Sequence, residues 1–68
     1  MDDFSQEQHN SNKKRLNVSS YDDLIGEKVY YVRPSYGMHT VKAFTDGEFL
    51  LEINGQKFYS NPFRLIRI

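Results

Sequence analysis

The chain has 68 residues, with nine basic and nine acidic side chains and no cysteine. Its length is enough for one domain with a thin core. The absence of cysteine excludes both a disulfide and a thiolate metal site. Its balanced charge favours no class of partner, and a cysteine-free small domain suits a reducing cytoplasm, where we expect the protein to reside. No apolar run approaches the roughly 20 residues of a membrane span, and the polar first residues do not resemble a secretory signal.

The first 20 residues are polar, and their composition predicts a flexible N-terminal arm. The apolar residues of this segment are Met1, Phe4, Leu16 and Val18. Such a segment cannot bury enough apolar surface to offset the entropy cost of ordering the chain. We therefore predict a disordered arm over residues 1–20 and one folded domain over residues 21–68.

The folded part is predicted to begin with one helical turn and a strand. Ser20 can cap the turn, with Asp23 in the capping-box position three residues later, and Gly26 would end it. The aromatic and β-branched run that follows predicts a first strand over residues 27–33. That strand ends at a proline, and residues 33–38 are predicted to form a loop.

Two dipeptides give the clearest structural signals of the chain. Asp46-Gly47 and Asn54-Gly55 lie between apolar-rich runs, and both favour the positive φ angles of a type I′ hairpin turn. They predict a three-stranded antiparallel meander with strands at residues 39–45, 48–53 and 56–60. A break at Asn61-Pro62 then precedes a short last strand over residues 63–68.

Alternation along these strands predicts which side chains share a face of the sheet. Phe49, Leu51 and Ile53 alternate on one face of the middle strand. Val41 and Ala43 share a face on the strand before it. Five short strands in so small a domain favour a strongly bent barrel, because an open sheet would leave two unprotected edges.

Residues 26–68 resemble the SH3-like small-barrel superfamily, which includes Tudor-type and KOW-type modules. The shared elements are Gly26-Glu27-Lys28-Val29 opening the first strand, a loop carrying Gly37, two tight hairpins and a break before the last strand. The run at residues 60–66 is similar to the short 3₁₀ turn and closing strand of SH3 domains. The resemblance implies a mainly β fold, a small SH3-like barrel of five strands.

The chain offers little support for catalysis. His9 lies in the predicted arm, and we expect His39, at a strand start, to be a surface or edge residue. A general base needs a pocket that tunes its pKa, and a domain this thin has little room for one. The Asp22-Asp23 pair is explained by the electrostatics of a helix start. We therefore expect no enzyme activity, no metal, no cofactor and no small-molecule substrate.

The aromatic residues are the most informative set for function. Tyr31, Phe49 and Phe58 fall on the predicted inner face. Tyr30, Tyr36 and Tyr59 fall on the opposite face or in a loop, where tyrosine gives a large rigid contact area at low entropy cost. These tyrosines could equally pack against the arm or the outside of the barrel. The candidate partner-binding residues are Tyr30, Arg33, Tyr36, Met38, Lys42 and Tyr59.

We therefore predict a non-catalytic protein-interaction module, a regulator, inhibitor or adaptor that binds a protein or protein complex within a larger macromolecular machine. Small phage-encoded proteins that act on a host machine fit this profile by analogy. The first alternative is a KOW-like module whose basic residues bind a nucleic-acid backbone, although a mixed, solvated surface explains those residues better. A structural subunit is the second alternative. The basic residues concerned are Arg33, Lys42, Lys57, Arg64 and Arg67.

Overall fold

A five-stranded antiparallel sheet forms the body of the protein. The computed structural model describes residues 3–68. The sheet order is β4-β3-β2-β1-β5, and the sheet is not closed, so that β4 and β5 are its two edges. The predicted mainly β class is confirmed. The strands are β1 (Lys28–Tyr31), β2 (Met38–Thr45), β3 (Glu48–Ile53), β4 (Gln56–Ser60) and β5 (Leu65–Arg67).

Within residues 3–68, one helix and three 3₁₀ turns accompany the sheet. The first 3₁₀ turn begins as predicted, because the Ser20 hydroxyl accepts a bond from the Asp22 N–H and the Asp23 carboxylate accepts one from the Ser20 N–H. No helix formed by residues 3–68 combines the length and the apolar character needed to cross a membrane. These elements are α1 (Asp3–Arg15) and the 3₁₀ turns Tyr21–Leu24, Pro34–Tyr36 and Pro62–Arg64.

Both hairpins have the predicted two-residue turns. Asp46-Gly47 joins β2 to β3, and Asn54-Gly55 joins β3 to β4. All residues of the two turns have positive φ, from 53° at Asn54 to 81° at the glycines. Positive φ at both central positions defines the type I′ turn, whose twist matches that of the flanking strands.

Replacing either turn glycine by valine should destabilise the fold. Gly47 and Gly55 have φ of +81°, and open space surrounds the position that a Cβ atom would take. The cost therefore comes from backbone strain, about 1–3 kcal/mol for a β-branched residue in this region. Denaturant unfolding of G47V and G55V measures this loss. Glu48→Val is the control, at an exposed strand position, and turn variants as stable as this control would contradict the prediction.

The core lies between the inner face of the sheet, the first 3₁₀ turn and the end of α1. Phe49 and Leu51 are fully buried, as their alternation predicts, and Tyr31 and Phe58 are partly buried against the core. Tyr21 closes the core at one end and is 6% exposed. The other fully buried apolar side chains are Leu16, Leu24, Val29, Val41 and Leu65.

A bulge in β2 changes the side-chain alternation that was predicted for that strand. Val41 is fully buried, but the register shifts between Val41 and Ala43. Lys42 is the extra residue, so Ala43 lies opposite Leu50 on the outer face and Phe44 packs against the core. The shared face predicted for Val41 and Ala43 is therefore wrong, because one inserted residue reverses the alternation of side chains.

The structure differs from the predicted flexible arm over the residues it describes. Helix α1 spans Asp3–Arg15, and Leu16, which follows it, is fully buried. Met1 and Asp2 lie outside the described residues. The predicted disorder of residues 1–20 is thus replaced from Asp3 onward by a helix and a connection that joins the core.

Polar side chains hold α1 against the body of the protein. Asn12 is 4% exposed, and its Nδ2 donates to the Tyr21 hydroxyl at 3.1 Å and to the Pro62 carbonyl at 3.0 Å. Nη1 of Arg15 donates to the Leu65 carbonyl at 2.6 Å. A buried polar group such as the Asn12 amide must be satisfied, and together with the Arg15 bond it gives a polar helix one defined position.

Candidate protein-interaction surface

Strand β1 is shorter than predicted because the chain turns sharply at Val32. The φ angle of Val32 is +67°, and the Arg33 N–H donates to the Tyr31 carbonyl at 2.7 Å. These features define a γ-turn of the rare, strained type with positive φ. The Val32 N–H donates to the Arg64 carbonyl at 2.8 Å, which ties the turn to the segment before β5. A β-branched residue at this φ stores about 1–3 kcal/mol of strain.

The remainder of this β1–β2 loop is braced by its own backbone. Pro34 opens a 3₁₀ turn, in which the Tyr36 N–H donates to the Arg33 carbonyl at 3.1 Å. The Gly37 N–H donates to the Pro34 carbonyl at 3.0 Å. Gly37 has φ of +89°, and a Cβ atom there would lie 3.4 Å from Cδ1 of Ile53. These bonds and the close approach of Ile53 restrict the conformations that the loop can adopt.

Three rings support the loop from the inner face of the sheet. The ring centroids of Tyr31 and Phe58 are 5.0 Å apart, and His39 lies 5.6 and 5.7 Å from them. His39 is 4% exposed and its Nδ1 lies 3.0 Å from the Gly37 carbonyl. Because a carbonyl only accepts, Nδ1 carries the proton in this bond. The expected surface position of His39 is wrong, since its ring braces the loop from within.

Arg33 and Tyr36 stand in front of these rings. The guanidinium carbon of Arg33 lies 5.3 Å from the centre of the Tyr36 ring, and that ring lies 6.5 Å from the ring of Tyr31. Tyr36 is nevertheless 51% exposed. Stacking of a guanidinium on an aromatic face restricts both side chains while leaving them accessible.

The outer face beside the loop adds two further predicted residues. Tyr30 and Met38 form a cross-strand pair between β1 and β2 at the base of the loop. Met38 is 52% exposed, and Tyr30 is partly buried. We call Tyr30, Arg33, Tyr36 and Met38 the loop patch.

The other two predicted contact residues lie apart from the loop patch. Lys42 occupies the bulge of β2, where its Nζ lies 3.5 Å from a carboxylate oxygen of Glu52. Tyr59 lies opposite Leu50 on the outer face of β4, whereas its neighbour Phe58 faces the rings behind the loop. Lys42 and Tyr59 therefore lie on strands β2 and β4, outside the loop that carries Arg33 and Tyr36.

A separate cleft of about 600 Å³ lies between α1 and the third 3₁₀ turn. Its walls include Glu7, Gln8, Ser11 and Arg15 on the helix and the half-exposed ring of Phe63. A disordered arm would leave no such cleft, so the sequence prediction did not include it.

Comparison of the chain with protein-family models, with curated proteins and with solved structures found no match. Within residues 3–68, no group of three or more histidine or acidic side chains is arranged to hold a metal ion. The choice among functions therefore depends on the geometry of the chain's own surface, above all on the loop patch.

Proposed function

We propose that this protein is a non-catalytic interaction module that binds another protein through the loop patch and acts as a regulator, inhibitor or adaptor of a larger assembly. One observation carries the proposal: a strained, internally bonded loop presents Arg33 stacked on the half-exposed ring of Tyr36. Backbone strain persists where the surrounding structure holds it, and it concentrates at binding and catalytic sites.

The chemistry of the loop patch suits a protein partner. Tyrosine and arginine are enriched among the residues that dominate interface energies. A loop that is already ordered loses little entropy on binding, which leaves more of the contact energy for affinity. Met38 adds a flexible, polarizable side chain that adapts to an uneven surface. Within the loop patch, the stacked pair of Arg33 and Tyr36 thus forms the restricted part of the contact surface, and Met38 forms its adaptable part.

We further propose that the body is an SH3-like barrel. The two tight hairpins and the 3₁₀ turn Pro62–Arg64 before the last strand support this assignment. The bulge between Val41 and Ala43 supports it as well, because bulges bend a strand and increase its twist. Edges β4 and β5 are not paired with each other, so the proposed barrel is partly open.

A nucleic-acid-binding module is the second candidate. The hydrogen bond from Val32 to the carbonyl of Arg64 brings the backbone of Arg64 to the residue before Arg33, and two arginines on these neighbouring segments favour a phosphate contact. A longer basic stripe through Lys42 is weakened by the ion pair between Lys42 and Glu52. The protein partner is therefore the stronger proposal.

Affinity capture from native extract, with and without nuclease, tests the choice. The wild-type chain, Tyr36→Ala and Tyr59→Ala serve as three baits, since Tyr36 and Tyr59 are exposed to similar extents. A protein that is retained after nuclease treatment, lost with Tyr36→Ala and kept with Tyr59→Ala would support the proposal. A partner that disappears after nuclease treatment would support the nucleic-acid alternative.

A further inference from the structure

The two edges of the sheet differ in how they are covered. Val32 is hydrogen-bonded to Arg64, so the next residue, Leu65, directs its backbone groups away from β1. Arg15 of α1 donates to this Leu65 carbonyl at 2.6 Å. The side chain of Arg15 therefore occupies an outward-facing carbonyl of β5, and such cover is one way in which natural proteins protect an edge strand.

The edge at β4 lacks such a cover within residues 3–68. Ile53 and Gln56 flank the two-residue turn as a hydrogen-bonded pair, and pairing then alternates along the strand. The N–H and C=O groups of Lys57 and Tyr59 consequently point away from β3. No hydrogen bond within the described part of the chain joins these backbone groups to another element. An unpaired edge of this kind is a template for a further strand.

We propose that β4 pairs with β4 of a second copy of this chain, antiparallel and centred on Phe58. This arrangement places Lys57 opposite Tyr59 of the second copy, and Tyr59 opposite Lys57 of the second copy. Each such pair exchanges two N–H···O bonds, because the backbone groups of both residues point outward. The two sheets become one continuous sheet across a two-fold axis.

The side chains match this register. Lys57 and Tyr59 lie on the same face of β4, and Tyr59 is 58% exposed. The pairing lays the ammonium group of each Lys57 against the exposed ring of Tyr59 from the other copy, a cation–π contact that the two-fold axis repeats. In the neighbouring register centred on Lys57, two ammonium groups face each other, which is destabilising. The side chains therefore favour the alignment centred on Phe58 over the one centred on Lys57.

The same residues favour a second copy over an unrelated strand. A lysine on an edge strand normally discourages pairing, because its charge must approach the incoming chain. Lys57 meets a complementary ring when the incoming strand is β4 itself. The contact is only one short strand long, so we expect a weak, reversible dimer with a dissociation constant on the order of 0.1–1 mM.

Sedimentation velocity and NMR diffusion measurements on the full chain over a concentration series test the dimer. We expect the mean mass to rise toward that of a dimer, with amide signals of Lys57 and Tyr59 shifting and their hydrogen exchange slowing. Tyr59→Lys opposes two ammonium groups and should weaken dimerisation at least about tenfold. Tyr59→Glu places a carboxylate opposite Lys57 and should keep or tighten the dimer. Circular dichroism checks that both variants fold.

Met38→Lys is the matched control, because Met38 is 52% exposed and the substitution adds the same charge at the loop patch. This control should dimerise like the wild type. Equal dimerisation of Tyr59→Lys and Tyr59→Glu would overturn the proposal. A chain that stays monomeric throughout the concentration series, or amide shifts confined to another surface, would also overturn it. None of these outcomes depends on binding at the loop patch, so the two proposals can fail independently.

Discussion

Replacing Leu16 by alanine should remove a large part of the stability of this fold. Leu16 is fully buried, although it follows a helix whose composition is polar. Truncation of a buried leucine to alanine costs about 2–5 kcal/mol, from lost burial and from the cavity that remains. A domain of this size has a total stability of only about 5 kcal/mol. Thermal and denaturant unfolding should therefore show a strongly destabilised variant.

Lys14→Ala is the matched control for this prediction. Lys14 is exposed on the last turn of α1, two residues before Leu16, so its truncation changes neither the core nor the length of the helix. Hydrogen exchange of the α1 amides gives a second measurement, and we expect faster exchange in the Leu16 variant because the helix loses its apolar anchor. Equal stability and equal exchange in the two variants would restore the interpretation of a flexible arm.

Sequence reasoning located the hairpins because a type I′ turn is a local requirement. Both residues of Asp46-Gly47 and of Asn54-Gly55 tolerate positive φ, and this tolerance does not depend on contacts with the rest of the chain. The bulge at Lys42 carries no comparable local signal. The bulge can be recognised only when β2 is paired with β3. The sequence of β2 alone does not indicate which of its residues lacks a partner on β3.

Helix α1 was missed although the sequence contains a signal for its end. Basic residues 13–15 occupy the last turn, and Asn17 follows with φ of 59°. The N–H groups of Asn17 and Val18 return to the carbonyls of the last turn, each at 3.0 Å, as in a Schellman motif. The composition of residues 1–20 predicted disorder because that prediction considers only the apolar area that a segment can bury. The polar bonds of Asn12 and Arg15 depend on partners far along the chain.

The candidate site was predictable in its residue types but not in its arrangement. The exposure of Tyr36 follows from its place in a loop after a proline. The turn at Val32 could not be predicted, because valine favours strands and the sequence predicts that this residue continues β1. Lys42 and Tyr59 fall outside the loop patch because the bulge and the strand pairing set their positions.

Removing the Tyr36 ring should weaken binding of the captured partner by about 2 kcal/mol, or roughly 30-fold. The ring is 51% exposed and contacts the supporting rings only through Tyr31, so the fold should stay intact. Arg33→Ala should have a smaller effect, because it removes the stacked guanidinium but leaves the aromatic anchor in place. Titration calorimetry at low and moderate salt measures the affinities of both variants.

Tyr59→Ala is the control for this measurement, because Tyr59 is 58% exposed but lies on the outer face of β4. At concentrations well below those of self-association, its affinity should match the wild type. A loss with Tyr59→Ala equal to that with Tyr36→Ala would move the binding surface away from the loop patch. A steep decrease of affinity with salt would indicate phosphate contacts, because such contacts release counterions. If Tyr36→Ala then kept the wild-type affinity while Arg33→Ala and Lys42→Ala bound much more weakly, the partner would be a nucleic acid and not a protein.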